Sequence, residues 1–197
     1  MDKKELQNPA LYTNRELSWL LFNKRVLSEA RDKQLLLFER LKFLSITASN
    51  LDEFFMVRIG SLVDMIHAEY TKKDIAGMSA KEQLDALMEE THKFAALQYS
   101  TYNRMLLPQL RANGLNFVEH HEQLTERQAQ YVDEYFEENV YPVLTPMAVD
   151  SSRPFPLIRN KTLNIGALVA KKGEKDTEIE FATVQVPSVL PRVVRIP

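Results

Sequence analysis

The sequence predicts a mainly α-helical protein: an antiparallel helical bundle at residues 1–114, then an incomplete α+β domain at 115–197. Three observations carry this. Between Thr13 and Gly114 apolar residues recur every three or four positions, and helix-start signals precede the runs. After Gly114 that period is lost, and Pro142, Pro146, Pro154 and Pro156 forbid a helix. Two β-rich runs, 162–170 and 178–186, then flank a polar turn at 171–177, which predicts a hairpin.

Taken in order, residues 1–12 are polar and frayed. Thr13 and Glu16 form a capping box that opens the first helix, through about Ala30. Leu17, Trp19, Leu20, Leu21, Phe22, Val26 and Leu27 cover more than half its circumference, so it is expected to pack on several sides. Arg31-Asp-Lys-Gln34 interrupts it. A second helix is predicted over 35–48 and a third over 51–69, separated by a tight polar break at Thr47-Ala48-Ser49-Asn50. In this reading Asn50 is the N-cap, Glu53 completes a capping box, and Asp52 and Glu53 sit where the helix dipole favours negative charge. Phe55, Ile59, Leu62 and Ile66 give the third helix its buried face.

The stretch 70–78 reads as a surface loop. Ser79 and Glu82 supply another capping box, and a helix follows over 80–112. It would be roughly 50 Å long at about 1.5 Å per residue, kinked at Pro108 and stopped at Asn113-Gly114. Leu115-Asn-Phe-Val118 is strand-like, and Thr125 with Gln128 opens one more helix that ends before Tyr141-Pro142. The prolines weaken any central strand between 140 and 157. A lone hairpin is marginal in water, so these two strands need partners. The chain stops soon after the hairpin, and 115–197 is therefore read as the opening of a domain in a longer protein.

The totals exclude several function classes. The chain has 197 residues, 45% hydrophobic and 26% charged, the profile of a soluble globular protein. A net charge of -2 gives no support for a nucleic-acid-binding face. With no cysteine there are no disulfides or thiolate metal sites, and His67, His92, His120 and His121 show no zinc spacing. No apolar run is long enough to span a bilayer and no signal-peptide core is present, so a cytoplasmic location is the default.

Five glycines build neither a Walker A loop nor a GxGxxG turn, and no Gly-x-Ser-x-Gly elbow occurs. Asp52 and Glu53 are adjacent, hence about 100° apart on a helix, and make no carboxylate dyad. His120-His121 reads as a solvated loop pair. Trp19, Phe22, Phe54 and Phe55 fit a helical core better than a base-stacking platform. No catalytic or metal-ligating residue is assigned within the chain.

The residues carry more than their periodicity. Arg15-Glu-Leu-Ser-Trp-Leu-Leu-Phe-Asn-Lys-Arg-Val-Leu27, Glu39-Arg-Leu-Lys-Phe-Leu44 and Ser49-Asn-Leu-Asp-Glu-Phe-Phe-Met-Val-Arg58 closely resemble the start of the bacterial polyphosphate kinases that autophosphorylate on histidine. Tyr141-Pro-Val-Leu-Thr-Pro-Met-Ala-Val-Asp150, Arg153-Pro-Phe-Pro156 and Thr162-Leu-Asn-Ile165 resemble the opening of that family's second domain. Arg153 departs from the histidine expected before Pro-Phe-Pro.

The resemblance implies a modular enzyme that reversibly moves the terminal phosphate of ATP to polyphosphate through a phosphohistidine. It implies a head domain used in homo-oligomerisation, and two phospholipase-D-like domains holding the catalytic histidines and magnesium ligands, all outside this chain. It also implies that the asparagine of Asn-Leu-Asp-Glu-Phe, here Asn50, contacts ATP, while the chain alone is inactive. The alternative is a non-enzymatic helical interaction module whose motifs serve only packing.

Overall fold

The computed structural model describes residues 5–149, 155–170 and 179–197. Arg153 and the turn at 171–177 lie outside the described residues. The chain divides into two compact units, Met1–Phe117 and Val118–Pro197.

The first unit is helical. Helix α1 spans Arg15–Arg31 and α2 spans Leu37–Phe54. A π-helical turn, Phe55–Ile59, leads without a break into α3, Gly60–His67. After the loop comes α4, Ala80–Thr101, then a second π-helical turn, Tyr102–Leu106, and α5, Leu107–Ala112. The two predicted helices at 35–48 and 51–69 are thus one continuous rod from residue 37 to 67. Its polar stretch does not break it, because Thr47 turns its hydroxyl back to the Leu44 carbonyl (2.7 Å) and stays helical.

Cap by cap, the sequence signals fare differently. The Ser79–Glu82 box forms, with the Ser79 N–H 2.7 Å from Glu82 Oε2. At α1 the cap is Asn14, not Thr13: its Oδ1 accepts from the N–H groups of Glu16 (3.0 Å) and Leu17 (2.9 Å). Helix α5 ends in a Schellman motif, with Gly114 at φ +82° and the Leu115 N–H bonded to Leu110 O at 2.9 Å. Helix α3 ends in the same pattern, but its left-handed residue is Glu69 at φ +53°.

One core joins Leu20 of α1 to Phe54, Ile59 and Leu62 on the continuous rod and to Ala80 and Leu87 of α4. A second cluster, Leu27, Ala30 and Phe94, holds the far end of α1 on α4. Leu27 and Leu87 have no exposed surface, and truncating such a leucine to alanine typically costs about 2–5 kcal/mol. Two expectations fail here. Phe54 is buried and Phe55 is 37% exposed, because the π turn shifts the face that meets the core. Leu21 and Phe22 are more than half exposed, so α1 is packed on fewer sides than its composition predicts.

In the second unit Thr125 and Gln128 make their capping box at the start of helix α6, Glu126–Tyr135. A three-stranded antiparallel sheet follows, from β1 Pro146–Val149, β2 Asn164–Val169 and β3 Glu180–Gln185, in the order β1-β3-β2. The hairpin strands pair as predicted, with Asn164 opposite Gln185 and Val169 opposite Glu180. The strand at 146–149 lies at the sheet's edge and starts on Pro146, where proline's missing donor is tolerated. Residues 115–118, read as strand-like, form no strand.

Candidate functional site

The site grows from the seam between α1 and α2. On α1, Trp19, Phe22 and Asn23 follow one face at spacings of three and four. On α2, Thr47, Asn50 and Phe54 do the same. Trp19 stacks on Phe54 with ring centroids 4.4 Å apart and planes 8° from parallel, which closes the seam on one side.

Next to that stack runs a thread of side-chain amides. Asn23 has no exposed surface. Its Nδ2 donates to the Thr47 carbonyl at 3.1 Å, and its Oδ1 accepts from Asn50 Nδ2 at 3.1 Å. From the other side, Gln98 Nε2 on α4 donates to Thr47 Oγ1 at 3.0 Å. Three helices therefore share one polar network inside an apolar bundle, where unpaired amides would be costly.

Asn50 is consequently not an N-cap. It lies four residues before the end of a helix that began at Leu37, whose N-cap residue, Leu36, makes no side-chain capping bond. Asp52 and Glu53 sit in the last turn of α2, so the complementarity with a positive helix end that the sequence suggested is absent.

Asn50 borders a cleft of about 240 Å³ lined by Trp19, Phe22, Asn50, Glu53, Phe54, Val57 and Arg58. Its apolar side is Phe22, 53% exposed, with Val57 and the Trp19–Phe54 stack. Its polar side is Asn50, Glu53 and Arg58. Arg58 belongs to the π turn, and a π turn adds one residue to the helix, moving later side chains about 100° around the axis. Arg58 Nε is 3.9 Å from Glu16 Oε2, while Glu16 Oε1 takes bonds from Arg15 Nε (3.0 Å) and Nη2 (2.8 Å). A flat aromatic face beside an amide and a half-exposed guanidinium suits a planar heterocycle carrying negative charge.

The cleft holds no paired nucleophile and base. All four histidines are exposed. His92 Nδ1 lies 2.6 Å from the Met88 carbonyl, and His121 Nε2 lies 3.2 Å from Asp133 Oδ1. Among the described residues no group of three or more His, Asp or Glu side chains could hold a metal ion. A larger, mostly apolar cavity of about 510 Å³ lies between α1 and α4, lined by Leu17, Leu20, Leu21, Phe94 and Leu97 with Lys24, Glu90 and Lys93 at its rim.

Of the residues at this cleft, sequence reasoning singled out Asn50 alone as a ligand contact, and only through resemblance. It missed Asn23, Thr47, Gln98 and Arg58 and assigned Phe22 to the core. One signal was available: Asn23 lies three and four residues from the apolar Leu20, Trp19 and Leu27 on one helix face, where a buried amide must find partners.

Fold and site together define a helical domain with a polar-walled cleft but no reaction machinery among its described residues, followed by an α+β unit. Comparison with known proteins places it. Residues 12–118 match the polyphosphate kinase N-terminal domain and residues 127–197 the polyphosphate kinase middle domain. The chain belongs to the polyphosphate kinase family. It is 53% identical over 186 residues to a polyphosphate kinase of Lactiplantibacillus plantarum, covering 94% of this chain and 26% of that protein. It is 47% identical over 194 residues to one from Halalkalibacterium halodurans, covering 98% of this chain and 27% of the relative. The crystal structure of the polyphosphate kinase from Porphyromonas gingivalis superposes with a TM-score of 0.72 at 32% identity, over 93% of this chain and 26% of that one. The chain thus spans about a quarter of the length of these relatives. Among the described residues no helix is long and apolar enough to cross a membrane.

Proposed function

We propose that this chain is the N-terminal part of an ATP:polyphosphate phosphotransferase and that the Asn50 cleft is one wall of its nucleotide site. The enzyme reversibly transfers the terminal phosphate of ATP to polyphosphate through a phosphohistidine carried by later domains. Residues 115–197 open a head domain through which the protein self-associates, in the cytoplasm. The observation that supports this best is the ordered match to the N-terminal and middle domains of polyphosphate kinase, in a chain whose cleft presents Asn50 of the shared motif.

The part played by these residues is binding. Asn50 supplies an amide to the purine edge, and Phe22 offers the ring a face. Arg58, only loosely engaged by Glu16, can turn toward phosphate. Magnesium neutralises charge on the transferring phosphate in such reactions, and its ligands are assigned to the later domains by the family resemblance; among the described residues no group of three or more acidic or histidine side chains could hold it.

The test is a label-transfer experiment with ATP labelled in its terminal phosphate. The purified 197-residue chain is expected to acquire no acid-labile label, whereas the full-length polypeptide acquires it and elongates polyphosphate. Acid-labile label on the 197-residue chain would overturn the division of labour. Its absence from the full-length protein would overturn the phosphotransferase reading.

A further inference from the structure

Asn23 does not line the cleft but is bonded to Asn50, which does. Its surroundings fix the direction of two amides in succession. The Thr47 carbonyl can only accept, so the end of Asn23 that meets it at 3.1 Å must be Nδ2. The end that meets Asn50 is then Oδ1, which also can only accept, so Asn50 must turn its Nδ2 toward it. Thr47 is itself pinned, donating to Leu44 O at 2.7 Å and accepting from Gln98 Nε2 at 3.0 Å. The Asn50 carbonyl oxygen is left on the side of its amide away from Asn23. Asn50 lines the cleft and Asn23 does not.

We infer that Asn23 is a positioning residue that sets the polarity of the Asn50 amide, so that the cleft offers a carbonyl acceptor and selects a 6-aminopurine nucleotide. The exocyclic amino group of such a base donates to that oxygen. A purine lacking the group leaves the oxygen without a donor. Turning Asn50 over would offer an N–H instead, but it would set Asn50 Oδ1 against Asn23 Oδ1 in a residue with no exposed surface. The inference rests on the nucleotide reading of the cleft and adds base selectivity to it.

The test is an NMR titration of the 15N-labelled 197-residue chain with ATP and, separately, with purine riboside 5′-triphosphate, which keeps the triphosphate and lacks only the 6-amino group. ATP is expected to bind roughly 2- to 10-fold tighter, the range for one hydrogen bond. Asn23→Leu fills a similar volume and leaves Asn50 free to turn, so the ratio is expected to fall toward one. A purely structural role for Asn23 would weaken both nucleotides equally and keep the ratio, which would overturn the inference.

If Asn23→Leu does not fold, the wild-type ratio decides. Equal affinity for the two nucleotides overturns the base selectivity and leaves the nucleotide contact standing. If the isolated chain binds neither nucleotide, the same comparison is made on the full-length polypeptide, and failure of both to bind there removes the nucleotide reading and the inference together.

Discussion

Replacing Asn50 by aspartate and by alanine separates the amide network from an ordinary helix cap, because the two roles reverse the order of the variants. In the structure Asn50 is inside α2 and gives one N–H to Asn23 Oδ1 at 3.1 Å. Alanine removes that donor and strands a buried acceptor, which costs about 1–3 kcal/mol. Its better helix propensity returns roughly 0.6 kcal/mol, for a net loss of about 0.5–2.5 kcal/mol. Aspartate loses the same donor, regains no propensity, and places a carboxylate oxygen against Asn23 Oδ1. It is expected to be about 1 kcal/mol or more below the alanine variant.

Protonation gives a second check on the aspartate variant. The neutral acid can donate to Asn23, so the folded-state pKa of Asp at position 50 would be raised. The favourable contact is then fully present below the unfolded value of about 3.9 and lost as pH rises through the folded value. The deficit of Asn50→Asp is expected to shrink on acidification. Urea unfolding followed by circular dichroism, at neutral and acidic pH with an unchanged m-value, measures both effects. Asn50→Asp as stable as wild type, with Asn50→Ala about 1 kcal/mol less stable, is the pattern of an N-cap and would refute the network argument.

Two further outcomes concern helix ends. Glu69 closes α3 in the left-handed region at φ +53°, so Glu69→Gly is expected to stabilise the chain by about 0.5–1 kcal/mol in thermal melts, and a loss would show that its strain is compensated. Glu82 is held below its ordinary value of 4.5 by bonds from the Ser79 backbone N–H and hydroxyl, with help from Lys73. A lowered folded-state pKa contributes stability above the unfolded value and loses it as pH falls through the folded one. Glu82→Gln should therefore melt lower than wild type at pH 7, with the gap closing as pH drops below about 4.5. A gap independent of pH would contradict this account of the α4 cap.

Much of the fold could be read from local pattern. Ser79 with Glu82, Thr125 with Gln128 and Asn113-Gly114 mark helix ends through contacts within five residues of one another, and all three act where the sequence puts them. The hairpin strands 164–169 and 180–185 were visible as two β-rich runs flanking one polar turn, although their paired residues lie 11 to 21 positions apart. What escaped was decided between distant segments. Thr47-Ala48-Ser49-Asn50 looks like a helix break because its side chains favour caps and turns. Here the Thr47 main-chain carbonyl and the Asn50 amide bond to Asn23, 24 and 27 residues away, the Thr47 hydroxyl accepts from Gln98, 51 residues away, and the helix continues. The π turn at 55–59, which exchanges Phe55 for Phe54 in the core and brings Arg58 to the cleft, leaves no periodic trace in so short a stretch. Asn50 entered as a candidate through a motif, and its local explanation as a cap was wrong.

The most direct test of the nucleotide reading is the KM for ATP of the full-length polypeptide carrying Asn50→Ala, measured at a temperature where the variant is fully folded. Losing one hydrogen bond worth about 0.5–1.5 kcal/mol should raise KM several-fold. The turnover number should stay within about twofold, because the contact acts in binding and not on the transferring phosphate. A wild-type KM in a folded Asn50→Ala enzyme would contradict the claim that this cleft holds ATP.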